Sequence, residues 1–128
     1  MLRGTEMKKF VICLMFSVVW CSQALAWTCR NEQFEISCAN GKCDKADSFT
    51  PMSLSVSDDG RVSACAYSGC WEGRATFAKR SRTFVHISGV FGWTGQSREK
   101  IPLAIVIDRK AKTAAFIGAN FVNPMTCE

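Results

Sequence analysis

The chain has 128 residues, is 48% hydrophobic and carries a formal net charge of +5. That length suits one domain with a modest core, and the charge is too mild for a nucleic-acid binder. Eight cysteines in so short a chain point to an oxidising compartment.

Residues 1–26 read as a removable leader. Met7-Lys8-Lys9 is a basic n-region, Phe10 to Trp20 is apolar apart from Ser17, and Ala24-Leu25-Ala26 is an A-x-A cleavage site. The apolar run is too short to span a bilayer. Cys13 follows Ile12 and Cys21 follows Trp20, so neither has the small preceding residue of a lipoprotein cysteine. The expected mature chain, 27–128, is a single domain, periplasmic or secreted, with no transmembrane segment. Arg3, Lys8, Lys9 and Glu6 leave with the leader, which brings the formal charge to +3.

Within the mature chain, Gln33 to Cys38 alternates apolar and polar, and places Phe34, Ile36 and Cys38 on one face of a strand. Ala39-Asn40-Gly41-Lys42 is a tight turn, since Asn-Gly supplies positive φ. Pro51 interrupts any regular ladder at Phe49-Thr50-Pro51-Met52. Met52 to Ser57 alternates cleanly, Asp58-Asp59-Gly60 turns the chain, and Arg61 to Cys65 returns as a hairpin partner.

The hairpin leads into Cys65-Ala66-Tyr67-Ser68-Gly69-Cys70-Trp71-Glu72-Gly73, which reads as a stapled aromatic loop. Arg74 to Ala78 is the next expected strand, Lys79 to Arg82 a basic turn, and Thr83 to Val90 a further strand. In that strand Phe84, His86 and Ser88 face one way and Val85 and Ile87 the other. Gly89, Gly92 and Gly95 are expected to end it in a bend or bulge. Ile101 to Ile107 is almost continuously apolar, as in a strand buried on both faces or a central strand closing a small barrel. Asp108 to Lys112 is a turn and Thr113 to Ile117 returns. A short helix from Asp108 to Gly118 is the alternative, disfavoured because its apolar residues cluster late. Seven or eight short strands and no long helix make an all-β fold, a small antiparallel barrel or sandwich.

Six cysteines remain after the leader: Cys29, Cys38, Cys43, Cys65, Cys70 and Cys127. Zinc is set aside because there is no Cys-x-x-Cys and His86 is the only histidine. Six cysteines allow fifteen pairings. The expected one is local, Cys38–Cys43 and Cys65–Cys70 stapling turns, with Cys29–Cys127 tying the ends.

The runs Trp27-Thr28-Cys29, Phe49-Thr50-Pro51-Met52, Cys65 to Gly73 and Asn123 to Glu128 resemble a family of small exported Cys-rich bacterial proteins of unsettled function. The resemblance covers essentially the whole mature chain, implies a shared fold and export, and carries over no catalytic residue. The architecture is also similar in outline to small periplasmic β-barrel lysozyme inhibitors. Those carry Ser-Gly-x-x-Tyr, whereas Ser68-Gly69 here is followed by Cys70-Trp71-Glu72. That departure leaves the inhibitor likeness an analogy of architecture.

The candidate binding residues are Tyr67, Ser68, Trp71 and Glu72. Tyrosine and tryptophan give large rigid contact area, and a disulfide beside them lowers the ordering cost of binding. The structural alternative keeps Trp71 in the core, bonds Tyr67 to backbone and solvates Glu72. Arg80 and Arg82, on the basic turn, and Trp93 are secondary candidates. The turn either steers an anionic partner or is a solvated tip. His86 with Ser68 and Asp108 would be needed for a hydrolase, but no Gly-x-Ser-x-Gly elbow is present. The glycines lack the Lys-Ser/Thr of a phosphate loop, and the carboxylates are too scattered for glycoside chemistry.

The expectation is therefore a non-catalytic exported protein, with no cofactor or metal. It presents its loop to another envelope or extracellular protein, as an inhibitor of a cell-wall enzyme in the sharpest form. A small-molecule or glycan module using the barrel mouth and Trp93 is the alternative, and nucleic acid is not an expected partner.

Overall fold

The computed structural model describes residues 26–46 and 49–128. Apart from Ala26, the expected leader lies outside the described residues. The rest is all-β, with eleven strands: β1 (Trp27–Asn31), β2 (Ile36–Ala39), β3 (Lys42–Lys45), β4 (Met52–Val56), β5 (Arg61–Cys65), β6 (Cys70–Arg74), β7 (Phe77–Arg80), β8 (Phe84–Trp93), β9 (Lys100–Asp108), β10 (Thr113–Gly118) and β11 (Phe121–Cys127). Among the described residues no helix is long and apolar enough to cross a membrane.

Eight strands close an antiparallel barrel in the order β1-β4-β5-β6-β8-β9-β10-β11, and β11 pairs back to β1. An eight-stranded barrel is just wide enough for side chains to fill it. Each strand alternates, and the inward set is Cys29, Leu54, Val56, Val62, Ala64, Val85, Ile87, Phe91, Leu103, Ile105, Ile107, Phe116 and Met125, all buried. The outward set is mostly polar or small, with Phe84, Val90 and Ile117 as exposed apolar exceptions. Ile101–Ile107 is not buried on both faces, because Leu103, Ile105 and Ile107 point in while Pro102, Ala104 and Val106 line the outer wall. Nor does this strand close the barrel. Closure falls between β1 and β11, at the two ends of the described domain.

The expected hairpins are present. β2 and β3 turn at Asn40 and Gly41, both with positive φ, and form a flap that pairs with β11 outside the barrel. β4 and β5 turn at residues 57–60, where Gly60 again has positive φ. β9 and β10 pair directly, which excludes the helical alternative.

Two strands differ from expectation. The strand expected over Arg74–Ala78 is two pieces, β6 and β7, that share β8 as a neighbour. Residues 73–76 oppose 89–91 between Glu72↔Gly92 and Phe77↔Ser88, so one extra residue bulges out on the β6–β7 side. β8 itself runs unbroken through Gly89 and Gly92 to Trp93. A methyl group at Gly73 would sit 2.9 Å from Phe91 Cδ1, and one at Gly89 would sit 3.1 Å from Phe91 Cζ. These two glycines make room for the Phe91 ring rather than bending the chain.

All three expected disulfides are formed. Cys29–Cys127, Cys38–Cys43 and Cys65–Cys70 have S–S distances of 2.08, 2.08 and 2.07 Å. Each joins residues directly opposite one another on neighbouring strands. These bridges account for all six cysteines among the described residues.

Candidate functional site at the barrel mouth

One end of the barrel gathers the β5–β6, β8–β9 and β10–β11 loops. The β5–β6 loop is shorter than its sequence suggests, because Cys70–Arg74 is strand and only residues 66–69 form the tip. Ala66 N–H donates to Gly69 O at 2.9 Å, and the Cys65–Cys70 bridge sits directly beneath. This leaves Tyr67 and Ser68 at the apex. Tyr67 is 83% exposed, the most exposed large hydrophobic side chain described.

The tip is buttressed from one side by Trp93. A methyl group at Gly69 would sit 2.9 Å from its Cζ2, so glycine is required for the loop to lie on the indole. Trp93 also packs against Trp71, with ring centroids 4.8 Å apart and planes tilted by 51°. Cys70 N–H donates to Thr94 Oγ1 at 2.8 Å and Thr94 N–H returns to Cys70 O at 2.9 Å, tying the two loops together.

Beneath this rim lies a cavity of about 290 Å³, walled chiefly by Met52, Trp71, Trp93, Phe116, Phe121 and Asn123. Asn123 is 1% exposed and faces the barrel interior. Its Nδ2 donates to Met52 Sδ at 3.1 Å, while its Oδ1 has no hydrogen-bond partner. Glu35 stands at the edge of the cavity, and burial holds its carboxyl above the usual carboxylate range. A second buried amide, Asn31, accepts from Gln33 N–H at 3.3 Å through Oδ1 and has an unpaired Nδ2.

The expected site residues divide over this geometry. Ser68, Trp71 and Trp93 meet at the cavity. Tyr67 leans to the other side of the rim, over a shallow groove with Arg30 and Glu32. Trp71 packs against the core, as the structural alternative has it, yet also walls the cavity. Glu72 points to the outer wall, where Ser63 Oγ donates to it at 3.4 Å. Arg80 and Arg82 lie at or next to the β7–β8 turn, at the opposite end of the barrel from Trp93. His86 is on the outer wall in edge contact with Phe84, its ring centroid 6.4 Å from that of Phe84, and Ser68 is at the mouth.

Met52, Phe116, Phe121, Asn123 and Glu35 are site residues that sequence reasoning missed. The available signal was the two-residue period of Phe121, Asn123, Met125 and Cys127, which puts a polar amide at an inward position. Comparison with family models, characterised proteins and solved structures finds no match for this chain. The functional reading therefore rests on the residues themselves.

Proposed function

We propose that this is an exported, non-catalytic binding protein that presents the Cys65–Cys70 loop to a protein partner. The observation that carries it is Tyr67, standing 83% exposed on a tip fixed by a disulfide, a turn hydrogen bond and the Trp93 indole. A solvent-facing aromatic costs the free protein nothing in core packing and gains most when a partner covers it. The rigid tip also loses little conformational freedom on binding. Three disulfides support export to the periplasm or beyond, where such bonds persist. Inhibition of a cell-wall enzyme is the sharpest form of this reading, with Tyr67 and Ser68 as the inserted tip.

The test uses the oxidised chain without its leader to capture a partner from an envelope extract, followed by titration of that partner once purified. Tyr67→Ala is expected to weaken the complex at least tenfold, by the size of effect buried interface aromatics have. Arg82→Ala, at the far end, is expected to leave it unchanged. Equal affinity of wild type and Tyr67→Ala ends the loop reading. A second reading, an envelope module for a small molecule, is favoured by the aromatic cavity below Trp93.

A further inference from the structure

The cavity has a one-sided chemistry. Its walls are chiefly aromatic and thioether, with the Thr50 and Ser68 hydroxyls among the polar groups, and Glu35 is the only charged side chain among the described residues that line it. Among the described residues, the one buried polar atom left without a partner there is an acceptor, Asn123 Oδ1. The orientation of that amide follows from its neighbour. A thioether accepts hydrogen bonds and cannot donate, so the bond to Met52 Sδ needs Nδ2 on that side and turns Oδ1 away from it. An anion entering the cavity could take a hydrogen bond from the Thr50 or Ser68 hydroxyl, but it would also meet a carboxylate and an unpaired acceptor, with no cationic side chain among the described lining residues to offset them. A hydrocarbon would leave Asn123 Oδ1 unsatisfied, at the usual cost of a buried orphan group. A group that brings N–H donors and positive charge satisfies both.

We propose that the barrel mouth binds a small protonated organic amine, its apolar body between Trp71, Trp93 and Phe121 and its ammonium directed to Asn123 Oδ1 and the Glu35 carboxylate. The volume, about 290 Å³, lies at the low end of small-molecule sites and fits a ring with a short side chain. A quaternary ammonium is a poorer fit, because it has no N–H for Asn123. This inference rests on the second reading above, that the cavity takes a small molecule.

The experiment titrates the oxidised chain with 2-phenylethylamine, 2-phenylethanol and phenylacetate, which share a ring and differ in the head group, and with cellobiose as a neutral sugar. Tryptophan fluorescence and calorimetry read binding. The expected result is that the amine binds at least tenfold more tightly than the alcohol and the acid. Glu35→Gln and Asn123→Leu each reduce that preference at least fivefold, with the unfolding midpoint checked for both. Glu35→Gln sits at the cavity edge and tests the charge even where Asn123→Leu fails to fold. Equal binding of the three phenyl compounds, or an amine preference that survives Glu35→Gln, overturns the amine while leaving a small-molecule cavity. Binding of cellobiose without the amine does the same. No binding by any of the four overturns both.

Discussion

Phe91 is wholly buried, and the wall positions nearest its ring, Gly73 and Gly89, carry no side chain. A methyl group at Gly73 has to push a ring that is packed on every side. Gly73→Ala is therefore expected to lower stability by about 1–3 kcal/mol, the usual cost of overpacking a core. Gly92→Ala is the control, since nothing lies within 4 Å of a methyl group there. It should stay within about 0.5 kcal/mol of wild type, as surface changes do. Urea midpoints of both variants measure the contrast. At the end of the barrel away from the mouth, Asp59 holds the β4–β5 turn by accepting from the Ser57 hydroxyl and the Arg61 N–H, with Arg74 3.5 Å away. The Ser57 hydrogen bond, then the Arg61 N–H, hold its carboxyl below the ordinary value. A depressed carboxylate stabilises the fold above its unfolded-state pKa and loses that contribution as pH falls through the folded one. Asp59→Asn should then be less stable than wild type at neutral pH, and the gap should close below about pH 4. Thermal melts across that range test the sign.

Elements joined by short turns were legible, because their chemistry is local. Asn40-Gly41 and Gly60 place positive φ where the β2–β3 and β4–β5 hairpins need it, and alternation supplies the β4 and β5 strands. β1 and β11 were not legible as strands. β1 is short and pairs with β4 and β11 rather than with its chain neighbour, while β11 hairpins onto β10 through Ala119-Asn120, a turn with positive φ but no Asn-Gly signal, and carries Pro124, a residue that argues against a paired strand. β6 was hidden for a related reason. Cys70-Trp71-Glu72-Gly73 has loop-like composition, but Gly73 is there to clear Phe91 and Trp71 to meet Trp93. The candidate site was half legible: the stapled tip can be read from two cysteines around a polar turn, whereas the cavity needs β4, β6, β8, β10 and β11 brought together. The loop also makes a prediction at this scale. Replacing Cys65 and Cys70 by serine opens a short closed loop, so chain entropy gives a loss of about 2 kcal/mol. The barrel should survive, because Thr94 still ties the loop to β8. The tip should loosen, and hydrogen exchange at Ala66 should quicken while that at Val62 and Ala64, inside β5, stays slow.

For the molecule as a whole, the shortest ladders of the barrel wall are β6–β8, which β7 continues along β8 beyond the bulge, and the β1–β11 seam. β8 and β9 pair along their full length, but β1 and β11 meet only at Cys29↔Cys127 and Arg30↔Thr126 before β11 turns to pair with β2. A closed barrel has no free edge, so a seam that opens exposes two edges at once and the inward face behind them. The Cys29–Cys127 bridge sits on that seam, buried, with a sequence separation of 98. Closing so long a loop removes more unfolded-state entropy than either short staple, by the chain-entropy account about 4–5 kcal/mol against about 2. Domains of this size have only about 5–15 kcal/mol in total. The double variant Cys29→Ala/Cys127→Ala is therefore expected to be close to unfolding at body temperature, and Cys38→Ala/Cys43→Ala, whose bridge serves a flap outside the barrel wall, to remain folded. Parallel urea titrations of the two variants under oxidising conditions give the comparison. Coincident midpoints would mean that the β1–β11 ladder and the core behind it hold the barrel shut unaided. A large gap, with early exchange at Thr126 in the Cys29–Cys127 variant, would locate the first opening of the fold at the seam, at the β1–β11 ladder.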